Sequence, residues 1–191
     1  GILVDELLRT NIPFVYAAED CVQLKEPQKN RRPIEAVWYT GKMMGEVLAR
    51  TITGEPLPYL PRVWFNSAKF FDIEYQTYGN VPAELAKNQT DFFWESSCRK
   101  KCVKLVFDAD THELYGVNVF GLRLRHQVLN RWLKAEKTVE HCLGYWKDAE
   151  FDPEFSKTYY EDMVNKFTRD FKVPVVKHKK KWLRIIDFYN S

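Results

Sequence analysis

The feature that most limits the fold of this chain is a pair of apolar runs, residues 103–107 (VKLVF) and Leu114–Phe120, joined by Asp108-Ala109-Asp110-Thr111-His112. The linker is rich in turn formers, and Lys104, Val106 and Asp108 alternate with Leu105 and Phe107. Alternation of this kind predicts a hairpin with one wet face and one dry face, as antiparallel sheets commonly have. Residues 62–65 and 70–78 read as two further strands, the second closed by Gly79. Residues 14–18 (FVYAA) form an apolar run of the kind that lies in the middle of a parallel sheet, covered on both faces. Nothing nearby supplies its parallel partners, so this run points to partners outside the chain.

Helices fill the rest. Pro33 suits a first helical turn, and Ile34, Val37, Trp38, Gly41, Met44, Gly45, Leu48 and Ile52 follow at helical spacing. Gly41 and Gly45 fall on one face, and Gly54, Pro56 and Pro58 stop the helix. Residues 122–143 carry Leu122, Val128, Leu129, Trp132, Leu133 and Val139 on roughly one face and read as one or two helices. A last helix is expected from Pro153, with Phe155, Tyr159, Met163 and Phe167 at steps of three and four. The fold class expected is α+β: an antiparallel sheet with helices packed on it.

Composition excludes little. A formal net charge of +3 over 191 residues is too mild to imply a nucleic-acid partner. No apolar run is long enough to span a bilayer, and no signal peptide opens the chain. The expected setting is cytoplasmic, with Cys21, Cys98, Cys102 and Cys142 as reduced thiols. The chain begins at Gly1 and runs at once into an apolar segment, which points to a piece of a longer protein.

Three stretches together resemble the FAD-dependent pyridine nucleotide-disulphide oxidoreductase family, nearest its ferredoxin reductase, NADH oxidase and apoptosis-inducing-factor-like branch. The first is GILVDELLRTNIPFVYAAEDC at the N-terminus, which resembles the family's last FAD-domain motif, an apolar strand ending in Ala-x-Gly-Asp. The second is IEAVWYTGKMMGEVLARTITG, which resembles the helix that follows that motif. The third is YLPRVWFNSAKFFDIEYQTYG with LYGVNVFG, which resembles the opening and hairpin of the C-terminal interface domain. The resemblance covers roughly residues 1–135.

The resemblance implies a division into residues 1–55, the remnant of a FAD-binding domain, and 56–150, an interface or dimerisation domain. Residues 151–191 would be a helix and basic tail. It implies that Asp20 holds the FAD ribityl chain, and that Glu35, Ala36 and Val37 form the helical turn facing the pyrimidine edge of the flavin. Free N–H groups and the helix dipole favour negative charge there. Glu19 departs from the pattern, because the family has glycine before the Asp. Trp38 is read as core, with cover of the flavin ring as the alternative.

The implied parent protein passes electrons from NAD(P)H through FAD to an unknown acceptor. It would need the rest of its own FAD and NAD(P) domains, and it is a candidate homodimer. The chain holds no Gly-x-Gly-x-x-Gly after a strand, so it is expected to be inactive alone. It also has no His-Pro motif of the glutathione reductase branch, so no catalytic base and no metal ligand is assigned. The competing reading is a non-enzymatic dimerisation or interaction module that has lost flavin binding.

Three lesser features remain. Cys98 and Cys102 enclose Arg99, Lys100 and Lys101 and are read as incidental. Lys177, Lys179, Lys180 and Lys181 with Trp182 and Arg184 are read as a solvated edge. The aromatic rows Phe92-Phe93-Trp94 and Phe70-Phe71 are read as core or interface.

Overall fold

The computed structural model describes residues 1–27, 31–155 and 157–178. The basic tail beyond His178 lies outside the described residues. The chain divides into two compact units. The first comprises residues 1–66 and 78–80; the second comprises 67–77 and the residues from Val81 onward.

The first unit is built on two short parallel strands, β1 (Ile2–Val4) and β2 (Val22–Leu24), paired in register from Ile2↔Val22 to Val4↔Leu24. One long helix, α1 (Trp38–Ile52), follows. Val4, Leu8, Ala17, Val22, Leu24, Met44 and Tyr59 form a buried cluster that joins strands, loop and helix.

The second unit carries the sheet. Its strands are β3 (Phe65–Phe70), β4 (Ile73–Gly79), β5 (Gln89–Glu95), β6 (Cys102–Asp108) and β7 (Leu114–Phe120). They form one antiparallel sheet in the order β3-β4-β7-β6-β5. The expected hairpin is the β6–β7 pair, with Cys102 opposite Phe120 and an irregularity between Val106 and Phe107. The expected α+β class is therefore the observed one.

Helices α2 (His126–Lys134), α3 (Val139–Gly144), α4 (Trp146–Ala149) and α5 (Tyr160–Phe171) complete the unit. Helix α5 shows how packing is encoded. Tyr160, Met163, Val164 and Phe167 recur at helical spacing and are all buried. Phe167 meets Phe92 of β5 edge-on at 5.4 Å and Phe107 of β6 at 6.2 Å. A side chain as large as Phe167, fully buried, contributes roughly 1.5–3 kcal/mol. The Trp94 indole N–H donates to Asp162 at 2.7 Å and ties the helix to the sheet.

Several sequence expectations are corrected here. The Pro153 helix begins only at Tyr160, and Phe155 is exposed. Residues 122–143, expected to form one or two helices, hold two, and Glu136 with a left-handed φ of 47° follows the end of the first. The aromatic row at 92–94 is strand β5, with Phe92 and Trp94 buried and Phe93 outward. Phe70 and Phe71 are exposed rather than core, because Phe71 sits on the β3–β4 turn with φ 52°. Gly41 is buried but Gly45 is exposed and faces open space.

Candidate functional site

The candidate site lies in the first unit, where the loop after β1 returns to β2 and where α1 begins. Asp5 organises the first part of that loop. Its carboxylate accepts the Leu7 and Arg9 amides at 2.9 and 3.0 Å and the Arg9 Nε–H at 2.8 Å. The Thr10 hydroxyl then donates to the Val15 carbonyl at 2.8 Å, and the Thr10 amide donates to the same oxygen at 3.1 Å. These bonds fold residues 10–15 into a tight turn. Phe14 has φ 64° and a ring 94% exposed. Residues 14–18 are therefore not the buried strand expected from their composition, since local hydrogen bonds outcompete a ladder. Among the described residues the only bridge there is Arg9↔Tyr16, and the parallel pair is made by β1 and β2 instead.

The chain then reaches Glu19 and Asp20 in a short 3₁₀ turn, Glu19–Cys21. Glu19 has φ 70°, a left-handed conformation that favours glycine. The backbone at position 19 thus has a shape that glycine adopts without strain, with a glutamate side chain built on it. The Glu19 amide donates to the Met44 sulfur at 3.4 Å, which seats the turn on α1. A Cβ placed on Gly41 would lie 3.2 Å from Glu19 Cγ. The missing side chain at 41 is what accommodates the stem of Glu19. Asp20 is exposed, and its carboxylate accepts no hydrogen bond among the described residues.

Helix α1 starts later than its periodicity predicts. Glu35, Ala36 and Val37 precede it, and Val37 is extended at φ −141°, ψ 134°. The reason lies in Glu35, which is only 5% exposed. Its carboxylate is paired with the Arg31 guanidinium, and its carbonyl accepts the Val37 amide at 3.0 Å and the Thr40 hydroxyl at 3.1 Å. Those bonds hold the segment out of helical geometry until Trp38. Burial pushes the Glu35 carboxyl up, and the Arg31 charge opposes that shift.

The first helical bond is Gly41 N–H to Val37 O at 3.1 Å. The amides of Trp38, Tyr39 and Thr40 precede it and have no partner within the helix. The first turn contains no acidic residue. Trp38 is 72% exposed and so is not core. Its ring meets Tyr39 edge-on at 5.4 Å. Among the expected residues, Ala36 is exposed and Val37 half-buried, while the Glu35 carboxylate is turned inward.

Arg31 and Tyr59 were not legible as site residues. Arg31 also donates to the Arg62 carbonyl. Tyr59 is 4% exposed, and burial, then the Glu35 charge, pushes its phenol up to about 12. Arg31 sits in a charged stretch that reads as loop, and only its spacing of four from Glu35 hinted at a pair.

Among the described residues, no group of three or more His, Cys, Asp or Glu side chains is placed to hold a metal ion. No helix among them is long and apolar enough to cross a membrane.

No family model matches the chain. It is 29% identical over 132 residues to the dihydrolipoyl dehydrogenase of Haemophilus influenzae, covering 63% of this chain and 25% of that protein. It is 25% identical over 172 residues to the NAD(P)H sulfur oxidoreductase (CoA-dependent) of Pyrococcus abyssi, covering 83% of this chain and 38% of that protein. Among solved structures, the NAD-dependent persulfide reductase from A. fulgidus superposes with a TM-score of 0.65 at 22% identity, covering 89% of this chain and 34% of that one. A FAD-dependent pyridine nucleotide-disulphide oxidoreductase from Desulfovibrio vulgaris gives 0.56 at 19% identity, covering 75% and 37%.

The fold is that of a portion of a FAD-dependent pyridine nucleotide-disulphide oxidoreductase, as the motifs imply. The chain spans between a quarter and two fifths of the length of the curated relatives it matches.

Proposed function

We propose that this chain is the C-terminal part of a flavoprotein oxidoreductase that passes electrons from NAD(P)H through FAD to an acceptor. The observation that carries the reading is the seating of the Glu19–Cys21 turn on α1, a helix whose first turn holds no acidic residue, with the Asp20 carboxylate exposed and accepting no hydrogen bond among the described residues. The donor set fits FAD. Asp20 would accept hydrogen bonds from the hydroxyls of the ribityl chain. The approach through Glu35, Ala36 and Val37 would bring the first amides of α1 to the pyrimidine edge, where the helix dipole favours negative charge. Bound FAD supplies hydride acceptance and onward electron release, and the protein tunes it through such contacts. The nicotinamide site would be supplied by other parts of the protein, so residues 1–191 alone would be inactive.

One observation favours the second reading, an interaction module without flavin. Glu19 places a carboxylate-bearing side chain against α1 where the family pattern has only hydrogen.

The test is the absorbance spectrum of the natural full-length protein, recorded before and after anaerobic NADH. A flavin spectrum that bleaches supports the oxidoreductase. A protein without flavin, and unable to take it up from added FAD, supports the module.

A further inference from the structure

The approach to α1 is held by a buried ion pair, Arg31 with Glu35. Only 8% of the Arg31 side chain and 3% of the Glu35 side chain are exposed. A buried pair of this kind seldom stabilises a fold more than apolar groups of the same volume, because both ions lose their water. What it does supply is fixed geometry.

The side chains of the pair and the backbone carbonyl of Glu35 restrain different stretches of backbone. Arg31 holds the Glu35 carboxylate through one terminal nitrogen and the Arg62 carbonyl through the other. Glu35 in turn receives on its carbonyl the amide of Val37, the residue just before α1, at 3.0 Å. The same oxygen receives the hydroxyl of Thr40, in the first turn, at 3.1 Å. Thr40 also donates to the Val37 carbonyl at 2.8 Å. The guanidinium is thereby linked through Glu35 to the residues that aim the amides of Trp38, Tyr39 and Thr40, which have no partner within the helix. Tyr59 closes the cluster with a buried ring.

The pair is also neutral as a whole. An unpaired Glu35 carboxylate would oppose the positive end of α1, and an unpaired Arg31 would add to it. Neutrality leaves the potential at the helix mouth to the backbone amides.

We propose that Arg31 and Glu35 are positioning residues that fix the direction of the first turn of α1 and hold the local charge at zero. The electrostatic half of this proposal rests on the flavin reading above; the positional half does not.

The experiment compares the natural full-length protein with Arg31→Met/Glu35→Leu and with Glu35→Gln. The first readout is amide hydrogen exchange at Val37, Gly41 and Lys42. The double variant is expected to keep its unfolding temperature within a few degrees while these amides exchange at least tenfold faster (about 1.4 kcal/mol per factor of ten). Unchanged exchange in both variants overturns the positional role. Should the double variant fail to fold, Glu35→Gln, which keeps the volume, is read in the same way.

The second readout is the midpoint potential of bound flavin. Glu35→Gln leaves the guanidinium uncompensated and is expected to raise the potential. An unchanged potential with flavin still bound overturns the electrostatic role. A wild-type protein without flavin overturns the flavin reading and with it the electrostatic half, while the exchange data still decide the anchor.

Discussion

Glu19 lies against Gly41, with its Cγ 3.2 Å and its Cβ 3.5 Å from where a Cβ on Gly41 would stand. The residue at 19 is held at φ 70°, a conformation that costs an L-residue about 1 kcal/mol. Glu19→Gly is therefore expected to stabilise the protein by about 1 kcal/mol in urea unfolding. Gly41→Ala alone should be nearly neutral, because a helix gain of about 1 kcal/mol is offset by displacement of the Glu19 stem. In the Glu19→Gly background the same change should give its full gain. The two substitutions are thus predicted to couple, and strictly additive effects would sink the idea.

A harsher constraint applies at Gly121, at the end of β7. It has φ 66°, and its amide donates to the Glu74 carbonyl at 2.7 Å. A Cβ there would stand 2.3 Å from the Lys100 carbonyl oxygen, which is backbone and cannot swing away. Gly121→Ala is expected to destabilise the protein by about 3 kcal/mol, combining a disfavoured φ with a clash. A loss below about 1 kcal/mol in thermal unfolding would mean that the β5–β6 turn yields instead.

What the sequence disclosed, and what it hid, follow from one physical distinction. Strands β6 and β7 bury side chains that are apolar because they are buried, so composition and position agree. The same holds for the α5 face. Residues 14–18 look equally apolar, yet Thr10 and Asp5 bind the neighbouring backbone and leave Phe14 in solvent. Periodicity reports the average wish of side chains for burial; it does not report a hydroxyl or carboxylate that captures the backbone locally. The start of α1 differs from its periodicity for the same reason, since the Glu35 carbonyl accepts the amide of Val37, which is extended, while the Glu35 side chain is paired with Arg31. Asp20 is singled out by its motif alone, whereas the contact of its neighbour Glu19 with Gly41 exists only in three dimensions.

Asp108 governs the acid response of the β6–β7 turn. Its carboxylate accepts the Thr111 and Asp110 amides at 2.9 and 3.0 Å, the Tyr115 hydroxyl at 2.7 Å and the Asn88 amide at 3.2 Å. The Thr111 amide first, then the Tyr115 hydroxyl, hold its carboxyl well below the usual carboxylate range. A depressed folded pKa means that the unfolded chain binds the proton first as pH falls. The contribution is complete above the unfolded value near pH 4 and is lost progressively below it. Urea midpoints measured from pH 7 to pH 2 should fall more steeply below pH 4 for the wild type than for Asp108→Asn. Parallel curves would show that the group does not matter.

The four free cysteines should react unequally. The Ser96 hydroxyl, 3.3 Å from Cys98 Sγ, and the Lys100 amide lower the Cys98 thiol, which is exposed on the β5–β6 turn. Burial raises Cys102, and raises fully buried Cys142 strongly. The thiolate is the reactive form, so iodoacetamide at neutral pH should label Cys98 before either of them. Ser96→Ala should slow labelling at Cys98 severalfold and leave Cys102 unaffected. Peptide mass spectrometry over time decides, and equal rates at Cys98 with and without Ser96 would contradict the assigned cause.

Asp20 offers the sharpest separation of binding from folding. Its carboxylate is exposed and accepts no hydrogen bond among the described residues. Asp20→Ala is therefore expected to change stability by no more than about 0.5 kcal/mol, as surface substitutions do. Hydrogen bonds to a charged group contribute about 1.5–3 kcal/mol each. Loss of one or two such bonds to a polyol should weaken FAD binding by roughly 10- to 100-fold or more. Titration of the apoprotein with FAD, followed by flavin fluorescence, measures that ratio directly. Unaltered affinity in a folded Asp20→Ala protein would remove Asp20 from the site while leaving the first turn of α1 as its remaining anchor.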